Sequence, residues 1–231
     1  YTRPINRYNG VVYGEGSVNR LKIKEGALKD LNIIGDSESY TLGFSQPWWI
    51  NEHWLLTAGA AYNRESSESS IDGVALSETD VDSYTLQGQA EWRHDPWYAR
   101  YEQRLRYAVA RNSISGDQGN FKIATGNAYI MRRFGERFEG VGRLSWQWAT
   151  DPERLPSSLS YQLGGVSSIR GYDAGIIASP HGVAASLETY WRVSPSWQPF
   201  IFYDHGEALK LGTHNQQLSS TGFGANYNWK S

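Results

Sequence analysis

The sequence predicts an antiparallel transmembrane β-barrel, here as part of a larger barrel, with a long loop folded into its lumen. Three observations predict this fold. Apolar and polar residues alternate with a period of two through most of the 231 residues. Charged residues fall on one of the two faces that this alternation creates. Short and long connections follow one another in turn, as in bacterial outer-membrane barrels.

Composition restricts the classes of protein that the chain can represent. With 22 Lys+Arg against 24 Asp+Glu, the net charge is -2, so we expect no nucleic acid partner. The chain has no cysteine, which excludes disulfides and thiolate metal sites. Its 10 tryptophans and 15 tyrosines are typical of membrane interfaces. A mean hydropathy of -0.57 is compatible with a barrel, because only every second strand residue faces lipid.

The strands can be followed in order along the chain. The first 30 residues should contain one or two strands, whose limits the alternation does not define. Clear alternation then predicts strands around residues 40–45, 54–63, 84–93, 101–110, 143–148, 183–193, 198–206 and 221–230. The stretch from Phe121 to Arg132 alternates poorly, and we interpret it as a strand with a bulge. This gives about nine to eleven strands.

The position of charged residues indicates which face of each strand points inward. A charge that faces lipid at mid-membrane costs roughly 2–4 kcal/mol. Six charged residues all fall on the polar face of their strands: Glu91, Arg93, Arg104, Arg106, Glu188 and Arg192. We therefore expect the polar face to line the lumen.

The lengths of the connections provide an independent signal. The predicted short turns are 46–53, 94–97, 135–137 and 194–196, and the predicted long loops are 65–82, 112–119, 151–182 and 207–217. Outer-membrane barrels combine short periplasmic turns with longer extracellular loops. A soluble β-sandwich, which follows no such rule, is the less favoured alternative. Trp48, Trp49, Trp97 and Trp197 cluster at the short turns and are expected to form a periplasmic aromatic girdle.

Two candidate functional motifs lie on the longest connection and on a later strand. The loop motif consists of Gly164, Gly165, Arg170, Gly171 and Tyr172. The strand motif consists of Phe202, Asp204 and Gly206, which a period of two places on one face. A guanidinium binds a carboxylate at two points, so we expect Arg170 and Asp204 to tether the loop.

Two further charged residues share the polar face of the strand between these motifs. Glu188 and Arg192 lie four residues apart on it. Two interpretations remain open: they join a lumen charge network around Arg170, or they only make the lumen polar.

Both motifs resemble those of the BamA, TamA and TpsB superfamily of outer-membrane proteins. In that superfamily, an Arg-Gly-Tyr or Arg-Gly-Phe loop folds into the barrel and meets the aspartate of a Phe-x-Asp-x-Gly strand. The lead-in Ser160-Tyr161-Gln162-Leu163-Gly164-Gly165 and the triplet Arg170-Gly171-Tyr172 are most similar to TpsB translocators of two-partner secretion. The resemblance covers residues 37–231.

The resemblance implies a location and a function. The chain would lie in the outer membrane of a Gram-negative bacterium, in contact with its lipid. It would export a secreted, TpsA-like partner protein (an adhesin, a haemolysin or a contact-dependent toxin) without nucleotide. Residues 1–231 are expected to form one barrel domain, incomplete at both ends, without the periplasmic POTRA domains of the family.

Alternative functions remain open at this stage. An assembly factor of the BamA or TamA kind would insert other barrels, and a passive diffusion porin would need no tethered loop. An outer-membrane lipase ranks lower, because residues 165–169 lack the second glycine of a nucleophile elbow. We predict no enzyme activity, no catalytic residue, no cofactor and no metal, since no paired metal-ligand spacing occurs.

Overall fold

The computed structural model describes residues 1–22, 33–209 and 215–229, and these residues are almost entirely β-structure. The strands are β1 (Thr2–Pro4), β2 (Val11–Lys22), β3 (Ile33–Ile50), β4 (Trp54–Ile71), β5 (Val74–His94), β6 (Trp97–Asn112), β7 (Gln118–Phe134), β8 (Phe138–Ala149), β9 (Tyr161–Leu163), β10 (Ile177–Ser179), β11 (His181–Trp191), β12 (Trp197–Leu209) and β13 (Gln216–Tyr227). A 3-10 turn at Ser157–Leu159 precedes β9. Within the described ranges, no helix has the length and apolar character needed to cross a membrane.

The described residues form one sheet of 11 strands and one of two strands. The larger sheet has the order β1-β2-β3-β4-β5-β6-β7-β8-β11-β12-β13, and the smaller one pairs β10 with β9. Strands adjacent in sequence are therefore adjacent in the sheet, except that the β9–β10 ladder lies in the connection between β8 and β11. Of the N-terminal stretch, β1 and β2 are described, whereas residues 23–32 lie outside the described part.

The chain divides into two compact units. The first unit comprises Tyr1–Trp48, Thr57–Gln87 and Leu105–Ile123. The second unit comprises Trp49–Leu56, Gly88–Arg104 and Ala124–Ser231.

A long hairpin in the first unit corrects one prediction. The sequence predicted a loop at 65–82, but β4 continues to Ile71 and β5 begins at Val74. Asp72 and Gly73 form the turn between them, with φ values of 50° and 79°. Positive φ at both central residues is the geometry of the two-residue hairpin turn that an Asp-Gly pair favours. Serine- and aspartate-rich composition predicts a loop here, but the Asp-Gly pair is the stronger local signal and favours a hairpin.

The poor alternation around Phe121 also has a physical reason. Strand β7 runs from Gln118 to Phe134 without interruption. Phe121 and Ile123 are both buried, and they lie on the strand face opposite to Ala128 and Ile130. Apolar residues thus occupy both faces of one strand, and a bulge is not needed to explain the pattern.

In the second unit, the strands around the long loop separate apolar from polar side chains as predicted. The register pairs Leu187 with Tyr203, and both are at least half exposed. It pairs Ser186 with Asp204, and both are buried on the opposite face. We call the face with Leu187 the apolar face and the face with Asp204 the polar face.

Arginine substitutions test this assignment of faces. We expect Leu187→Arg, at a 63% exposed position of the apolar face, to lower the free energy of unfolding by about 2–4 kcal/mol, because it places a charge in lipid. Asn127→Arg, at an exposed position on the opposite side of β7 from Ala128, is the control on the polar face and should change it by less than about 1 kcal/mol. Denaturant titration of the full-length protein in lipid vesicles measures both. Equal losses would contradict the assignment.

Candidate functional site

The connection between β8 and β11 folds back onto the polar face of the second unit. Several hydrogen bonds fix its two ends. The Tyr161 hydroxyl lies 2.6 Å from the Ser145 hydroxyl on β8. The Ser179 hydroxyl donates to the carbonyl of Leu209 on β12 at 3.1 Å. The β9–β10 ladder joins the two ends to each other, so the segment from 164 to 176 forms the tip of a short hairpin.

An apolar cluster anchors this tip. Leu163 and Ile169 have no exposed surface and pack against Ala184 and Ala208 of the neighbouring strands. Gly206 makes this packing possible, because a Cβ there would lie 2.8 Å from Leu163 Cδ2 and 3.1 Å from Ile169 Cδ1. The glycine of the strand motif thus provides space for the loop. This role of Leu163 and Ile169 was not predicted, although apolar residues within a polar loop are a signal that the loop packs against the fold.

The glycines of the loop motif shape the turn that carries Arg170. Gly164 and Gly165 have φ values of 102° and 90°, a region that favours glycine. A Cβ on Gly164 would collide with the carbonyl oxygen of Asp173. The N–H of Gly165 donates to the carbonyl of Tyr172 at 3.0 Å, which closes the turn. Gly171 also has a positive φ, of 85°.

Arg170 binds Asp204 at two points. Arg170 Nε donates to Oδ2 at 2.7 Å, and Nη2 donates to Oδ1 at 2.6 Å. The backbone N–H of Arg170 donates to the same carboxylate at 3.1 Å. The Asp204 side chain has 0% exposure, and the Arg170 side chain has 22%. The residues of the predicted tether are therefore in direct contact.

A second carboxylate joins the cluster. Arg170 Nη1 lies 2.5 Å from Oε1 of Glu188, and Nη2 donates to the Ser186 hydroxyl at 3.0 Å. The other oxygen of Glu188 is 2.6 Å from Nη1 of Arg143 and accepts a hydrogen bond from Tyr190 at 2.6 Å. Of these partners, only Glu188 was predicted from the sequence; Ser186, Arg143 and Tyr190 were not. Alternation within residues 143–148 puts Arg143 on the face opposite Leu144, but it does not show which residue of β11 lies beside it.

Arg192 is not part of this cluster. Strand β11 ends at Trp191, and the N–H of Arg192 donates to the carbonyl of Arg137 at the adjoining turn, at 2.7 Å. None of the described carboxylates of the cluster pairs with Arg192, which lies four residues, or about 13 Å of extended chain, beyond Glu188 and borders a cavity together with Gln198. The charge network that the sequence suggested therefore contains Glu188, but its second cation is Arg143.

The two aromatic residues of the motifs, Phe202 and Tyr172, also contact the loop or tie it to the strands. The guanidinium carbon of Arg170 lies 3.6 Å from the ring centroid of Phe202, a cation–π geometry. The Tyr172 hydroxyl donates to the carbonyl of Ser219 on β13 at 3.0 Å.

The electrostatics of the cluster are balanced. Arg143 and Arg170 face Glu188 and Asp204, so that two positive charges meet two negative ones. The hydrogen bonds to Asp204 raise the pKa of the Arg170 guanidinium, and its burial opposes that rise. Because Arg170 remains protonated at any physiological pH, this arrangement acts as a fixed tether and does not respond to acid through the arginine.

A cavity of about 720 Å³ lies beside the cluster in the second unit. Its wall includes Arg170 and Glu188, together with Glu102, Asn127 and Tyr129 of neighbouring strands. In the described part of the chain, no group of three or more histidine and acidic side chains is placed to hold a metal ion. The arrangement holds the loop next to a polar space.

Comparison with solved structures identifies the fold. CdiB from Acinetobacter baumannii matches with a TM-score of 0.76 and 15% identity, over 100% of this chain and 43% of that one. CdiB from Escherichia coli matches with a TM-score of 0.76 and 17% identity, over 94% of this chain and 44% of that one. The chain thus spans less than half the length of either protein. At this identity the similarity concerns the fold, and it confirms the predicted barrel fold.

A family model gives the relationship itself. The model of the haemolysin secretion/activation proteins ShlB/FhaC/HecB matches residues 1–228. This confirms the resemblance to TpsB translocators. The chain therefore belongs to the ShlB/FhaC/HecB family of haemolysin secretion/activation proteins, and its location is the outer membrane of a Gram-negative bacterium.

Proposed function

We propose that this chain is the barrel portion of a translocator that exports one large partner protein across the outer membrane without nucleotide. Proteins of this family are two-partner secretion transporters. The exported partner would be an adhesin, a haemolysin or a contact-dependent toxin. The observation that carries the proposal is the loop held over the polar face by Arg170, bound to the buried carboxylates Asp204 and Glu188.

The strength of the tether suits a loop that must be held and released. At ~4 Å and an effective dielectric of ~20, one ion pair gives about 4 kcal/mol of attraction before solvation. Removal of both charges from water offsets part of this attraction. A polypeptide that enters the lumen could then supply the remaining energy through its own contacts, and so shift the loop from a docked to a released state.

The two carboxylates contribute differently to the release. When Arg170 leaves, Asp204 loses its ion-pair partner, whereas Glu188 still has Arg143 and Tyr190. An uncompensated buried charge is costly, so Asp204 opposes release and Arg143 reduces the cost at Glu188. On this proposal, Asp204 determines how firmly the loop is docked, and Arg143 determines how readily it leaves.

Deletion of the protein tests its proposed function directly. We expect one large protein to disappear from the medium while the composition of the outer membrane stays the same. Quantitative mass spectrometry of the medium and of the membrane measures both. Loss of many outer-membrane proteins would instead identify an assembly factor, and an unchanged medium would contradict export.

Removal of the tether should impair export more than folding. We expect Arg170→Ala to reduce secretion of the partner on the order of tenfold, the equivalent of about 1.4 kcal/mol. Arg154→Ala is the matched control, since Arg154 belongs to the same connection but its side chain is 57% exposed and pairs with Asp151 at 3.5 Å. Secretion is measured in the medium, and folding by heat-modifiable migration in gels. Unchanged export in Arg170→Ala would show that the tether has no role.

Substitution of Arg143 should have the opposite effect on the loop. We expect Arg143→Gln to make release rarer by several-fold, because Glu188 would then have no cation once Arg170 leaves. The Ser168 hydroxyl is buried and the chain lacks cysteine, so a Ser168→Cys thiol reports release by its alkylation rate. Arg170→Ala should raise this rate.

The control for this measurement is Arg100→Gln. Arg100 lines the same cavity but pairs with Glu102 at 3.6 Å. A faster alkylation in Arg143→Gln than in Arg100→Gln would contradict the assigned role of Arg143.

A further inference from the structure

We propose that the apolar face of the second unit binds one phospholipid, with its phosphate on Arg132 and an acyl chain in the adjoining groove. The site is independent of the loop and of the exported partner. It requires only the location in the outer membrane.

Arg132 is placed unlike the charged residues of the polar face. On β7 it shares a face with Ile130, whose side chain is 45% exposed. Ile130 belongs to the apolar face, because it and Leu187 both lie next to the Cα of Gly142, where a Cβ would touch the two side chains. A charge on this face costs roughly 2–4 kcal/mol at mid-membrane, but only about 0–1 kcal/mol near the interface. Arg132 lies two residues before the end of β7, beside the short turn at 135–137, and the short turns of outer-membrane barrels lie at the periplasmic interface.

Two aromatic rings hold the guanidinium of Arg132. Its central carbon lies 4.7 Å from the ring centroid of Trp97 and 4.7 Å from that of Phe134. The described residues provide it with no carboxylate partner. Rings that cover the faces of a guanidinium leave its N–H edge available, and that edge is the part that binds a phosphate at two points. The neighbouring Arg133 is different, because it pairs with Asp95.

An apolar groove of about 590 Å³ lies next to this cation. Small residues, Ala99 and Ala128, lie in it among the bulkier Tyr101, Ile130 and Leu144. Its volume is in the range of about 300–1,000 Å³ that ligand sites in proteins have. Its lining is apolar, and an acyl chain is the apolar ligand that a membrane supplies at this face.

The groove and the cation belong to one site. Ile130 is two residues from Arg132 on one strand, and Ala99 is two residues from Trp97 on the next. Two residues of a strand span about 6.6 Å, so the groove begins one side-chain spacing from the guanidinium. A phospholipid has a phosphate next to its acyl chains, so its phosphate can lie at the guanidinium while an acyl chain lies in the groove. The turn after β7 is short and therefore periplasmic, which assigns the lipid to the inner leaflet.

Native mass spectrometry of the full-length protein tests this site. The probe is dioleoyl phosphatidylglycerol, added to the delipidated protein in detergent, and the measured quantity is the fraction of protein that retains one lipid. We expect Arg132→Gln to lower the affinity about fivefold, as expected for one basic residue at a membrane surface. Ala128→Phe, which fills the groove, should lower it as well. Arg133→Gln is the matched control and should bind as wild type does.

Two further measurements separate the possible ligands. Inorganic phosphate should compete poorly, because it lacks the acyl chain, and Arg132→Lys should bind with intermediate affinity, because it keeps the charge without the fork. Effective competition by inorganic phosphate would overturn the lipid assignment in favour of an anion site. Equal retention of the lipid by Arg132→Gln and wild type would overturn the site itself.

Discussion

The burial of Asp204 is the constraint on which the rest of the site depends. A carboxylate without exposed surface is tolerated only when a cation and hydrogen bonds replace its water. Arg170 satisfies both oxygens with its side chain and adds its own backbone N–H. Only a loop backbone that approaches the strand closely can make the third contact. The charge on β12 therefore determines where the tip of the loop lies.

Packing around the ion pair follows from this position. Gly206 lies two residues from Asp204 on the same face, and its missing side chain leaves room for Leu163 and Ile169. Apolar burial is non-directional, whereas the guanidinium fork fixes both distance and angle. The apolar cluster thus provides much of the attraction, and the ion pair selects one register of the loop. Without the ion pair, the loop would still be attracted to the strands but would have no fixed position. Without the apolar cluster, it would be positioned but weakly bound.

Sequence reasoning reached the parts of this structure that depend on local periodicity. Parity placed Phe202, Asp204 and Gly206 on one face, and charge on one face indicated a membrane protein. The contact of Arg143 with Glu188 could not be predicted in this way, because it depends on the register between β8 and β11, which no single strand specifies. Sequence reasoning left open whether Arg192 belongs to the cluster, because periodicity gives the face on which a residue lies but not its distance from Arg170. It read the β4–β5 hairpin as a loop because polar strands beyond a membrane resemble loops in composition.

On each face of the second unit, arginine side chains have partners that stabilise their charge, but the partners differ. On the polar face, Arg143 and Arg170 are held by carboxylates, because burial there makes an unpaired charge costly. On the apolar face, Arg132 contacts aromatic rings, whose attraction for a cation does not require a paired carboxylate. Rings do not neutralise the charge, however, whereas carboxylates do. An arginine between rings at an interface therefore still requires an anion. On our proposal, a phospholipid phosphate from the surrounding membrane provides that anion for Arg132.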